Sequence, residues 1–148
     1  MKIRQLSLFL ENRPGHLRVP FEALGGAGVD VLTMTLADTR QFGILRVVVK
    51  DPERARQVLE AAGSVVKVTD VLAIDVPDLP GGLAGVLATF EGLGLGIEYM
   101  YAASGAGERA GFATLLVRVA DPDAAIPALQ AAGVELVPSD ELFRRARA

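Results

Sequence analysis

The chain has 148 residues, 51% apolar and 22% charged, with a formal net charge of -3. Such a chain suits one ordinary folded domain or two small ones and excludes extended disorder, and its mildly acidic balance argues against nucleic acid as a partner. With no cysteine, disulfides, thiolate nucleophiles and zinc–thiolate cages are excluded. No run approaches the roughly 20 apolar residues of a membrane span, and charged residues interrupt the first seven positions, so a cytoplasmic protein away from membranes is expected.

Residues 2–10 alternate as a strand. Pro14 suits the first turn of a helix, and Leu17, Phe21 and Leu24 follow at helical spacing until Gly25-Gly26-Ala27-Gly28 stops it. Pro20 inside that stretch predicts a bend or break. Strands are expected over 29–37 and 43–50, then a helix from Asp51-Pro52 to Gly63, then a strand over 65–69. The order is βαββαβ, with helices on one face of an antiparallel sheet. The second half repeats it: strand 71–76, helix 81–93, strands 96–103 and 112–119, helix 122–132 and strand 134–137, with 139–148 as a short helix or frayed tail.

The repeat is explicit in the residues. Pro14-Gly15-His16-Leu17 matches Pro80-Gly81-Gly82-Leu83 at an offset of 66, and Asp51-Pro52 and Ala61-Ala62-Gly63 recur as Asp121-Pro122 and Ala131-Ala132-Gly133 at an offset of 70. Four residues are gained in the glycine-rich segment 105–111, read as a hairpin loop in preference to a flap over a ligand. The expected division is 1–69, 70–138 and the tail 139–148, the two units held close together because almost no linker separates them. The glycines of 92–96 and 105–107 do not open a helix after a strand, so they do not read as nucleotide loops.

The segments Glu11-Asn12-Arg13-Pro14-Gly15-His16-Leu17 with Gly28-Val29-Asp30-Val31, and Pro77-Asp78-Leu79-Pro80-Gly81-Gly82-Leu83 with Gly94-Leu95-Gly96-Ile97, resemble the ACT domain pattern. The likeness extends to about Val137 and is to stand-alone tandem ACT proteins of bacteria, which carry no catalytic domain. The resemblance implies an α+β fold of two ferredoxin-like units and regulation by small molecules, commonly amino acids bound at interfaces where the loop after the first strand faces another ACT unit.

The residues offer a reason of their own. Gly15 and Gly81 are expected at helix starts, where backbone N–H groups and the helix dipole attract a carboxylate and a missing Cβ lets a ligand approach. Ammonium acceptors are Asn12, Asp30 or the carbonyls near Glu11 and Leu79, with a side-chain pocket between the helix and the second strand. The candidate ligand-binding set is therefore Glu11, Asn12, Arg13, Pro14, Gly15, His16, Leu17, Asp30, Asp78, Leu79, Gly81, Gly82, Leu83 and Tyr99. The two loops are chemically unequal, because Asp78 stands opposite Asn12, Leu79 replaces Arg13 and Gly96 replaces Asp30.

Plainer readings compete. A lone histidine such as His16 is equally an exposed helix residue, Arg13 a solvated loop arginine, and Tyr99 with Tyr101 packing residues. No catalytic group, metal site or cofactor is expected. The preferred reading is a non-catalytic sensor of an amino acid or small carboxylate that signals to a metabolic enzyme. The rival is a detached regulatory subunit without a ligand of its own. A homodimer is expected through the sheet face away from the helices, where Thr33, Thr35, Val47, Tyr99 and Tyr101 or their alternate neighbours leave apolar surface uncovered.

Overall fold

A computed structural model describes residues 1–38, 40–103 and 109–146. The heart of the glycine-rich segment, 104–108, lies outside the described residues, and with it the flap reading. The elements are β1 (Lys2–Glu11), α1 (Arg18–Gly26), β2 (Val31–Asp38), β3 (Phe42–Val49), α2 (Pro52–Ala61), β4 (Val66–Pro77), α3 (Gly82–Gly92), β5 (Ile97–Ala102), β6 (Phe112–Val119), α4 (Pro122–Ala131), β7 (Glu135–Val137) and α5 (Ser139–Arg145). The fold is α+β, and the chain divides into two compact units: a first, Arg4–Thr69, and a second, Asp70–Ala148 with Met1–Ile3.

The predicted strands 65–69 and 71–76 are one continuous strand, β4. Thr69-Asp70 contains neither glycine nor proline to break the extended backbone. The Asp70 carbonyl instead accepts a hydrogen bond from Arg118 Nη1 at 3.0 Å, and its carboxylate lies 3.5 Å from Lys2 Nζ.

In the first unit β3 pairs antiparallel with both β1 and β2, with Leu8 opposite Leu45 and Leu36 opposite Leu45 on the other side. Leu6, Leu8, Leu45, Val47 and Val49 meet Leu24 of α1 and Ala55 and Leu59 of α2 in one core. In the second unit β6 pairs with β4 and β5, and β7 pairs with β4. Its core repeats the first position by position: Leu72, Ile74, Val117 and Val119 against Phe90 of α3 and Ala125 and Leu129 of α4. Both units thus seal one sheet face with two helices. Of the alternatives left open on β3, Val47 lies in this helix-side core because it shares the parity of Leu45 and Val49, so its alternate neighbours take the opposite face.

Helix ends repeat as well. Asp51 and Asp121 cap α2 and α4, accepting from Arg54 N–H at 3.0 Å and Ala124 N–H at 3.1 Å. Gly28 and Gly94 turn left-handed at φ +68°, and Val29 and Leu95 N–H reach back to the Leu24 and Phe90 carbonyls at 2.9 Å.

The expected first helix differs in its start. Residues 14–17 are turns and α1 begins at Arg18. Pro20 has no N–H to reach the His16 carbonyl, so helical bonding cannot begin there. In α3 the matching residue is Val86, which has that N–H, and this helix starts at Gly82. Pro20 therefore sits in the first turn of a shortened helix, not at an interior break. No helix among the described residues is long and apolar enough to cross a membrane.

Candidate functional site

The loops after β1 and β4 are wired alike. Asn12 N–H donates to Gln41 O at 3.1 Å, and Asp78 N–H to Gly111 O at 2.9 Å. His16 N–H donates to Arg13 O at 3.2 Å, and Gly82 N–H to Leu79 O at 3.0 Å. Gly15 and Gly81 are both left-handed, at φ +86° and +88°, and a Cβ on either meets nothing within 4 Å. The left-handed turn itself calls for glycine at both positions. Gly15 lies three residues before α1 and so is not at a helix start, whereas Gly81 is the N-cap of α3.

Gly82 has a different constraint. A Cβ there would lie 2.0 Å from the Pro77 carbonyl oxygen, so the second loop folds tightly onto the end of β4. The first loop places His16 at the same position.

The cavities differ accordingly. In the first unit Leu10, Glu11, Asn12, Arg13, Leu17, Leu36 and Gly43 line a cavity of about 60 Å³. Leu36 is its one residue from β2 and none comes from α1, and it falls far below the roughly 300–1,000 Å³ of small-molecule sites. In the second unit a cleft of about 670 Å³ opens between the loop, one face of α3 and the turn from α4 into β7. Leu79, Pro80, Gly81 and Gly82 form one end, Gly85, Val86 and Thr89 the α3 wall, Ala132 to Glu135 the facing wall, and Asp75, Pro77 and Phe112 the sheet side.

Of the residues proposed from sequence, Glu11, Asn12, Arg13 and Leu17 meet at the small cavity, while Pro14, Gly15, His16 and Asp30 do not line it. Glu11 and Arg13 form an exposed ion pair. Leu79, Gly81 and Gly82 line the large cleft; Asp78, Leu83 and Tyr99 do not. Tyr99 stands opposite Arg118 on β5 and β6. The expected pocket between helix and second strand is thus not where the large cleft lies.

Sequence reasoning missed the charged end of the cleft. Asp75 is 4% exposed, and its carboxylate accepts from Thr114 Oγ1 at 2.7 Å and from Arg145 Nη1 at 2.9 and 3.1 Å. Arg109 Nη1 lies 3.7 Å from Asp75 Oδ2 and bonds Glu135, while its guanidinium carbon sits 4.1 Å from the centre of the Phe112 ring. Hydrogen bonds from Arg145 and then Arg144 hold the Glu141 carboxyl below its ordinary range. Glu141 and then Asp75, against the cost of burial, raise Arg145. One signal was legible: Asp75 is a lone charge in Val71-Leu72-Ala73-Ile74-Asp75-Val76, and a carboxylate inside a buried strand needs partners. Among the described residues no group of three or more His, Cys, Asp or Glu is placed to hold a metal ion.

A duplicated ferredoxin-like unit with a Pro-Gly turn after its first strand defines a class of paired α+β modules. Residues 1–143 match the family model of the ACT domain pair, and the chain belongs to that family. Among solved structures it is similar to protein BT0572 from Bacteroides thetaiotaomicron, at 34% identity over 97% of this chain and 96% of that one, with a TM-score of 0.87. It also shares its fold with the regulatory subunits of aspartate kinase from Thermus thermophilus and Thermus flavus. Both are 18% identical with TM-scores of 0.63, covering 89% and 97% of this chain and 93% and 94% of theirs. No curated protein matches the chain.

Proposed function

We propose that the protein is a non-catalytic sensor that binds an amino acid or related small carboxylate in the cleft of its second unit and passes the signal to a metabolic enzyme. The observation that carries this reading is the cleft itself: about 670 Å³, apolar along α3, with charged groups gathered at one end. That volume and make-up suit a small polar ligand with an aliphatic part. The fold-level likeness to proteins described as regulatory subunits of aspartate kinase is in keeping with such a role. The units assigned to it are 1–69 and 70–138, with 139–148 as an appendage of the second.

The test is a dye-based thermal shift of the protein against the twenty amino acids and their 2-oxo acids. A ligand at 100 times its dissociation constant adds about 2.7 kcal/mol, enough to raise Tm by several degrees. The same titration on Gly85→Leu separates cleft binding from nonspecific effects. A Cβ at Gly85 meets nothing within 4 Å, and leucine is a better helix residue by about 1 kcal/mol, so this variant stays folded while filling the cleft. A shift in the parent that vanishes in Gly85→Leu supports the reading. The rival, a subunit acting on an enzyme with no ligand of its own, is favoured by the small first cavity and expects no shift from any compound.

The proposal includes a homodimer. Phe9 and Phe42 are 53% and 54% exposed, and the register Phe9–Ile44 puts them on the sheet face away from the first unit's core helices. Light scattering of the parent and of Phe9→Glu tests this: a dimer that becomes a monomer supports it, and a monomeric parent rejects it.

A further inference from the structure

We infer that the charged end of the cleft is a recognition site for an organic cation, an ammonium or guanidinium group, and that Arg109 occupies it from within the chain until a ligand displaces it. The inference rests on the sensor reading above and deepens it.

Three features converge there. Asp75 and Glu135 face each other across the β4–β7 pairing, both line the cleft, and Phe112 lines it beside them. Two carboxylates and an aromatic ring are the elements that bind compact organic cations. A cation is already seated among them, since the Arg109 guanidinium bonds Glu135, approaches Asp75 at 3.7 Å and lies 4.1 Å from the Phe112 ring centre.

The two acids are not equivalent. Asp75 is buried and held by Arg145 and Thr114 whether or not Arg109 is present. Glu135 is half exposed, with a side-chain accessibility of 52%, and Arg109 is 44% exposed. The exposed Arg109–Glu135 pair is therefore the part that can open at small cost, leaving the buried Asp75 network in place as the rigid wall. A ligand cation that takes Glu135 must compete with Arg109, so Arg109 lowers ligand affinity and sharpens selection for a cation that makes further contacts along α3.

Isothermal titration of the whole protein tests this with four sets of probes: neutral amino acids, lysine and arginine, simple amines, and 2-oxo acids. Binding by compounds that carry a cation and none by the 2-oxo acids is expected. Preference for lysine and arginine assigns the site to a side-chain cation, and equal binding of neutral amino acids assigns it to the α-ammonium. Glu135→Gln is expected to weaken binding by about tenfold, in line with losing a charge-assisted contact, and Arg109→Met to tighten it. Circular dichroism melts confirm that both variants remain folded. Arg109→Met weakening the binding overturns the inference while leaving the sensor reading intact, because Arg109 would then be a receptor for the ligand's carboxylate. Binding of 2-oxo acids as tight as amino acids also overturns it alone. No binding by any probe removes the sensor reading and the inference together.

Discussion

The two units share a core, caps and loop wiring, yet at the matched loops the first has a small cavity and the second a large cleft. The difference traces to a few matched positions. Where the first unit has His16, Val19 and Pro20, the second has Gly82, Gly85 and Val86. Glycine at 82 lets the loop close onto Pro77, glycine at 85 removes a side chain from the wall of the cleft, and valine at 86 lets α3 begin early. On the sheet, Phe9 of the first unit corresponds to Asp75 of the second, so an exposed apolar residue corresponds to a buried carboxylate with two arginines near it. Duplication preserved the scaffold, and chemistry diverged where the scaffold does not depend on it.

The comparison can be pressed hardest in the cores. Phe90 and Leu24 are matched and each is almost fully buried. Phe90→Ala should cost about 3–5 kcal/mol and Leu24→Ala about 2–5 kcal/mol in urea denaturation, the spread depending on how far each site collapses. A negligible cost at either would break the equivalence of the two cores.

The ion-pair network comes next. Arg145→Ala leaves Asp75 with a poorer set of partners and should cost about 3 kcal/mol. Adding Asp75→Phe, which rebuilds the pattern of the first unit, should recover most of that loss, because an apolar residue needs no partner. A double variant as unstable as the single one would show that α5 is held by something other than this charge.

The loop contrast is sharpened by Gly82→Ala, expected to lose about 1–3 kcal/mol as the Pro77 carbonyl is pushed away. His16→Ala should stay within about 0.5 kcal/mol. Asp51→Ala and Asp121→Ala should each cost about 1 kcal/mol, as matched caps; clearly unequal losses would show that the two helices are not equally coupled to their sheets.

The smallest effect is in pH. The Glu141 carboxyl is held below its ordinary value by Arg145 and Arg144, so the folded state binds its proton less readily than the unfolded chain. Its contribution is present above the ordinary carboxylate range and is lost as pH falls through the lowered folded value. Comparing acid titrations of stability for the parent and Glu141→Gln should show a shallower decline in the variant.

Much of the fold was legible because the repeat tested each element twice. The strand over 112–119 and the Asp-Pro helix starts follow from patterns that fix backbone geometry locally. The join at Asp70 was not legible, since a polar residue between apolar runs reads as a linker unless its backbone partners are known. The start of α1 was misread because Pro14 and Pro20 both suit a first turn, and only the hydrogen bond missing at Pro20 decides between them. For the site, the Pro-Gly loop was found at Leu79, Gly81 and Gly82, but Glu135 and Phe112 come from strands far away in sequence. Pairing with β4 brings them to Asp75, and no local pattern announces that.

Gly85 also has a consequence for the timing of motion. An interior glycine makes α3 intrinsically weaker than an alanine-bearing helix by roughly 1 kcal/mol, and the cleft leaves one of its faces without side-chain support. Its hydrogen-bonded amide protons should therefore exchange with solvent faster than those in the body of α2, which has no interior glycine. Occupancy of the cleft should slow that exchange selectively, so the helix that forms the wall also serves as the clock by which filling of the cleft can be read.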